Sequence, residues 1–260
     1  MKNKLTLIIV LLTSLAANAS NTAAKADEEY NRENYKEAIA LYEEAIKTDG
    51  VSSDLFYNLG NAHYRAGNVA ESILAYERAL RLNPSNDEAR SNLEFVNSRI
   101  IDKKGETGSF IYNTFVGICN KATSNTWAWI GLALFALTIG CVFLYTFSDA
   151  VLVKKIGFFG GIAALAVTIF IIIIAFKAKQ LAQDRSEAII TSETSVLSTV
   201  PRAPMTRDEE AMLLHEGTKV WILQSISLPG DSLDQTWHEV SVDNRHRAWI
   251  NDADIERVIK

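Results

Sequence analysis

Cysteine and histidine are scarce here, two and four in 260 residues. Cys119 and Cys141 make no disulfide framework and read as small apolar residues, one just before a long apolar run and one inside it. The histidines, His63, His215, His238 and His246, are scattered over the chain. His238 and His246 can approach across a hairpin, where a surface pair is expected in preference to a metal site. His-Glu-x-x-His, Gly-x-Ser-x-Gly, paired-cysteine spacing and Gly-x-x-x-x-Gly-Lys are all missing, and with them the usual zinc, nucleophile and phosphate-loop chemistries. Basic residues are not in excess: the net charge is −5, whereas nucleic acid needs a basic face. We therefore expect no enzyme, no metal, no cofactor and no nucleic acid partner.

What the chain does have is long apolar sequence. Trp127 to Phe147 and Ile156 to Phe176 are uncharged runs of about 21 residues, which at ~1.5 Å per residue matches a hydrocarbon core roughly 30 Å thick. Their Leu, Ile, Val and Phe positions alone favour insertion by roughly 3–8 kcal/mol per helix. The connector 148–155 is so short that a transmembrane helical hairpin is expected, with both flanking segments on one side. Neither span holds an acid, a base or a histidine, which disfavours transport. Gly157 and Gly161 have the spacing of close helix approach, and glycine is also simply common in membrane helices.

The first nineteen residues set the side. Lys2 and Lys4 precede the apolar stretch Leu5 to Ala16, and Ala17-Asn18-Ala19 has the small residues of a cleavage site, the pattern of a secretory signal peptide. Export of the mature N-terminus would leave 148–155, with Lys154 and Lys155, in the cytoplasm.

Residues 20–102 repeat. Asn34, Ile39, Tyr42 and Ala45 recur as Asn68, Ile73, Tyr76 and Ala79 at a constant offset of 34, a period that marks helix-turn-helix arrays. Phe56, Leu59, Gly60, Gly67, Tyr76, Ala79 and Pro84 resemble the signature of the tetratricopeptide repeat, with Ser72 and His63 as departures. Ser53 or Asp54 is the expected cap of a first helix, Gly67 its left-handed end, Gly60 and Ala79 its points of close packing, and Pro84 the stop of a second helix. A last helix from Asp87 to Ile101 should cover the open end. The resemblance places Tyr57, Asn61, Tyr64 and Arg65 on a concave, protein-binding surface. A carboxylate clamp would need lysines from adjacent units, and Ala23 stands where Tyr57 has its equivalent, so Asn61 reads as an ordinary consensus residue. Asp27-Glu28-Glu29 reads as a solvated helix face.

Residues 103–126 are a turn-rich linker, Lys103 to Ser109, and a short apolar segment suited to the membrane interface. Thr123, Ser124 and Asn125 then cap the first span, and Trp127 and Trp129 suit an aromatic belt. After a polar stem over 177–187, the period changes. Ala188-Ile190, Ser195-Leu197, Lys219-Leu223, Trp237-Val242 and Arg247-Ile250 are five short β-rich runs with turn residues between them. With an irregular loop from Val200 to Met212, they suggest a small all-β barrel over 188–260 that is similar to bacterial SH3-like domains, although Ala248 stands where that family has Gly. Trp221, Trp237 and Trp249 would line a peptide groove or serve as core and strand-face residues.

The expected fold is thus multidomain: an all-α repeat solenoid, a helical hairpin and a small β barrel. In order and content the chain resembles the BatE-type aerotolerance proteins. That resemblance implies an exported scaffold in the inner membrane that acts beside von Willebrand factor A domain membrane proteins and a MoxR-type ATPase under stress. A second expectation, from another class, is a sensor whose barrel binds peptidoglycan.

Overall fold

Residues 22–102, 108–228 and 235–259 are described by the structure, a computed structural model. The expected signal peptide over 1–19 and residues 103–107 of the linker lie outside them. The chain divides into two units: residues 22–82, 86–102 and 185–259 form one, and residues 83–85 and 108–184 the other.

In the first unit, helices α1 (residues 22–31), α2 (Tyr35–Thr48), α3 (Ser53–Ala66), α4 (Val69–Leu82) and α5 (Asp87–Asn97) follow one another. Ala38, Tyr42 and Ala45 of α2 are buried at the i, i+4, i+7 spacing of one helix face. Ser52, one residue before the expected cap, has the extended backbone and accepts the Leu55 N–H at 3.1 Å; Ser53 and Asp54 are already helical. Gly67, at φ 89°, ends α3 as its left-handed cap. Gly60 has no room for a side chain, since a Cβ there would stand 2.6 Å from the Tyr76 ring. The last helix is shorter than expected, and Asn86 caps it by accepting the Ala89 N–H at 2.9 Å.

Seven strands follow: β1 (Glu187–Ile190), β2 (Thr194–Ser198), β3 (Glu210–His215), β4 (Lys219–Leu228), β5 (Gln235–Ser241), β6 (Arg247–Asn251) and β7 (Ile255–Arg257). They form one antiparallel sheet in the order β3-β2-β6-β5-β4-β1-β7. Five strands were expected. β3 is hidden because Glu-Ala-Met-Leu-Leu-His has no β-branched residue, and its pairing with β2 narrows the irregular loop; β7 is too short to show a period. Each strand sends a side chain into one core, including Leu197, Leu214, Val220, Val240, Ile250 and Ile255. The sheet therefore wraps around that core, helped by a register break in β4 between Ile222 and Gln224. It stays open, because the order begins at β3 and ends at β7 without a pairing between them among the described residues.

The sheet and the repeats share a second core. Ala188 and Ile190 face the sheet interior, and alternation along β1 turns Ile189 the other way. There it joins Val258 and the α4 and α5 residues Ile73, Leu74, Tyr76, Leu93 and Val96. Polar contacts ring this seam. Lys219 Nζ lies 3.0 Å from Glu77 and 2.8 Å from Glu187, and Arg81 also pairs with Glu187. Arg78 reaches Glu256 at 2.8 Å and donates to the Val258 and Arg257 carbonyls. Asp102 accepts the His215 N–H at 2.6 Å and the Thr218 hydroxyl at 2.8 Å. Gly217, at φ 82°, brings the β3–β4 turn so near α4 that a Cβ would meet Ile73 at 2.8 Å. The two segments that flank the apolar hairpin thus close on each other, an arrangement with no local signature in the sequence.

The second unit contains α6 (Phe110–Cys119), α7 (Ser124–Phe147) and α8 (Val151–Ala182). α7 and α8 are long and apolar enough to cross a membrane. At ~1.5 Å per residue α8 is roughly 48 Å long, so it outruns the 156–176 apolar stretch at both ends and takes in Lys154, Lys155, Lys177 and Lys179. Gly157 lies where α7 and α8 meet: a Cβ would fall 2.7 Å from the Cys141 carbonyl and the Tyr145 amide, and one on Gly161 3.3 Å from Cys141 Cβ. The glycine spacing therefore packs the hairpin on itself. Thr138 and Thr168 donate to the Leu134 and Ala164 carbonyls of their own helices, so neither buried hydroxyl is left without a partner. α6 lies along α8, with Cys119 packed on Ile174 and Ala178 and the Trp127 indole donating to the Cys119 carbonyl at 3.2 Å. Phe110 and Ile111 remain 84% and 80% exposed.

Candidate functional site

A polar cavity of 360 Å³ opens among α1, α2 and α3, lined by Asp27, Tyr30, Asn31, Tyr42, Asn58 and Asn61. Its size is that of a small ligand pocket. A hydrogen-bond triad, made once in each repeat, builds its walls. In the second repeat, Asn61 Oδ1 accepts from the Tyr76 hydroxyl at 2.6 Å and from Asn92 Nδ2 at 2.9 Å. In the first, Asp27 Oδ1 accepts from the Tyr42 hydroxyl at 2.6 Å and from Asn58 Nδ2 at 3.3 Å. The three pairs, Asp27 and Asn61, Tyr42 and Tyr76, Asn58 and Asn92, each keep the 34-residue offset. One side-chain oxygen in each repeat thus ties its own second helix to the first helix of the next helix pair.

The triads affect the tyrosines differently. Burial pushes the Tyr76 phenol up to about 12. Burial also raises Tyr42, and the hydrogen bond to Asp27 and the Asp27 charge raise it further, because a phenolate facing a carboxylate is doubly penalised.

Of the four repeat residues expected to line a surface, the cavity includes Asn61 alone. Tyr57 is half-buried with its ring 6.2 Å from that of Tyr76. Tyr64 packs edge-on to Phe95 and accepts from Arg99 at 2.8 Å. Arg65 is exposed over the Tyr35 ring and 3.9 Å from Glu33. Asp27, Tyr30, Asn31, Tyr42 and Asn58 were missed. Subtracting the repeat offset from Asn61 leads straight to Asp27, whose place in the acidic run Asp27-Glu28-Glu29 hides that relation.

In the β domain the three tryptophans stand apart in the register. Trp237 pairs across with Ile226 and Asn251, Trp249 with Glu239 and Ser198, and Trp221 with Glu187 and Ser241. Trp237 is 5% exposed and its indole N–H has no partner among the described residues, while the other two are half-buried. His238 and His246 do not pair; each bonds to an aspartate of its own, Asp252 at 2.7 Å and Asp243 at 2.6 Å. The His246 bond, with the Arg245 and His246 amides, lowers the Asp243 carboxyl to about 2. His238 also meets Ser225 at 2.7 Å, a Ser-His-Asp string. Both of its ring nitrogens are occupied and the histidine is only 2% exposed, so the string ties β4 and β5 to the turn after β6.

A comparison with curated proteins finds no match. A sequence profile described as the tetratricopeptide repeat matches residues 23–87, the stretch whose helices carry both hydrogen-bond triads up to the Asn92 arm of the second, and such repeats are in general protein-interaction modules.

Proposed function

We propose that the protein is a membrane-held, non-catalytic scaffold that binds an extended peptide segment of a partner in the cavity between α1, α2 and α3. The observation that carries this reading is an open polar cavity whose walls are held by internal hydrogen bonds, on repeats whose α4–α5 face is already covered by the sheet. A rigid, pre-formed groove loses little entropy on binding. Anchoring by α7 and α8 raises the local concentration of the groove near other membrane proteins. Closure of residues 22–102 on residues 185–259 supports a hairpin with both flanks in one aqueous compartment, because buried pairs such as Lys219 with Glu77 cannot form across a bilayer.

The finer placement follows from the resemblance: an exported, periplasmic scaffold of the inner membrane in an aerotolerance-type stress complex, with von Willebrand factor A domain proteins and a MoxR-type ATPase as partners. A photoreactive residue in place of the exposed Asn31 tests the groove in intact membranes. A specific adduct is expected there and not from the same probe at Lys47 on α2. Equal labelling from both positions, or none, would remove the groove from the mechanism.

A further inference from the structure

We infer that the cavity selects a lysine or arginine side chain of the bound peptide, with Asp27 as its counter-charge. This rests on the groove reading above and adds the chemistry of the ligand.

The argument starts from the two triads. A neutral amide at Asn61 does the whole structural task in the second repeat, accepting from one tyrosine and one asparagine. In the first repeat the same two donors go to Asp27. The negative charge is therefore surplus to the architecture, and it stands in the wall of the cavity with Tyr30, Asn31, Tyr42 and the neutral Asn61 around it. Both of these donors use Oδ1, and among the described residues no bond to Oδ2 is seen, which leaves it for another partner. Among the described residues no lysine or arginine pairs with Asp27. The nearby arginines are engaged elsewhere, Arg32 with Glu28 and Glu29, and Arg65 with Glu33. The remaining lining groups are amides and phenols, which accept from an ammonium or guanidinium and also meet a peptide backbone.

The wider field agrees with the pocket. Residues 22–102 carry fifteen acidic and nine basic side chains, so a basic segment is drawn toward this face and an acidic tail is repelled. A carboxylate clamp would require the opposite charge in the wall.

The test uses the full chain in nanodiscs and a randomised peptide library with blocked ends, which isolates side chains from terminal charges. Selected peptides should carry Lys or Arg at one fixed position. Replacing that residue by norleucine should weaken binding about tenfold, the difference between a charge-assisted and a neutral contact, and Asp27→Asn should weaken the parent peptide by the same factor. The norleucine peptide should then bind wild type and D27N alike. D27N keeps an oxygen for Tyr42 and Asn58, as Asn61 does for Tyr76 and Asn92, so its melting temperature should stay near wild type; the norleucine arm decides the matter on unaltered protein in any case. Peptides that bind and are displaced by Asn31→Trp but show no basic position, or that bind D27N as well as wild type, would overturn the inference and leave the groove standing. Failure to select any peptide sensitive to Asn31→Trp would overturn the groove itself.

Discussion

Glu33 sits in the left-handed region, φ 64°, at the offset position of Gly67, φ 89°. A side chain there costs roughly 1 kcal/mol that glycine does not, and the Arg65 contact it makes is long and exposed, so it returns little. Glu33→Gly should stabilise the first unit by about 0.5–1 kcal/mol, read as a higher midpoint in denaturant. Gly60 has the reverse constraint. Gly60→Ala sets a methyl against the Tyr76 ring and should destabilise by about 1–3 kcal/mol. Glu187 adds a pH dependence. Burial alone would raise its carboxyl, but Lys219 and then Arg81 outweigh burial and hold it below the usual carboxylate range. Because its folded value is depressed, its contribution is complete above that range and is lost as pH falls through it toward the lowered folded value. The seam should therefore weaken below about pH 4, and Glu187→Gln should flatten that part of a melting-temperature profile.

At the scale of elements, legibility followed the distance over which a pattern is written. The apolar runs that became α7 and α8, and the offset of 34 that became α1 to α4, are contiguous signals. They announce the repeats and the two long apolar helices, although α8 starts five residues before its apolar stretch and ends six beyond it. β3 and β7 were lost because one lacks β-branched residues and the other has three residues; pairing with β2 and β1 makes them strands. The cavity was half legible. Asn61 stood out as a consensus residue, whereas Asp27 gains meaning only when Tyr42, the eighth residue of α2, comes back to meet it. Gly157 and Gly161 show the same limit, since spacing marked a close approach without naming the partner helix. Gly157→Leu drives a side chain into the Cys141 and Tyr145 backbone and should open the hairpin at lower SDS, followed by the fluorescence of Trp127 and Trp129. Gly140→Leu, which faces open space, should leave that transition unchanged.

For the whole molecule, the finding furthest from any local signal is that residues on either side of the hairpin make one folded unit. Ile189 and Val258 look like ordinary strand and tail residues, and only the α4–α5 surface explains why they are apolar. If a protease site is placed within residues 103–107 and cut, the helical fragment should still co-elute with the remainder of the chain in mild detergent. Lys219→Glu sets a third acid beside Glu77 and Glu187, taking the lysine from both and leaving Glu187 to Arg81; loss of one partner from such a buried group costs about 3–5 kcal/mol, so this variant should release the fragment after cutting. The same closure fixes an order of events at birth. Helices α4 and α5 leave the ribosome more than a hundred residues ahead of β7, and at about 5–20 residues per second that is a wait of roughly ten seconds or more. During it, Ile73, Leu74 and Val96 have no sheet to cover them, so the nascent chain carries a sticky flank until its last strand emerges. Chains halted after α8 would keep that flank for good, which makes them targets for chaperones and proteases.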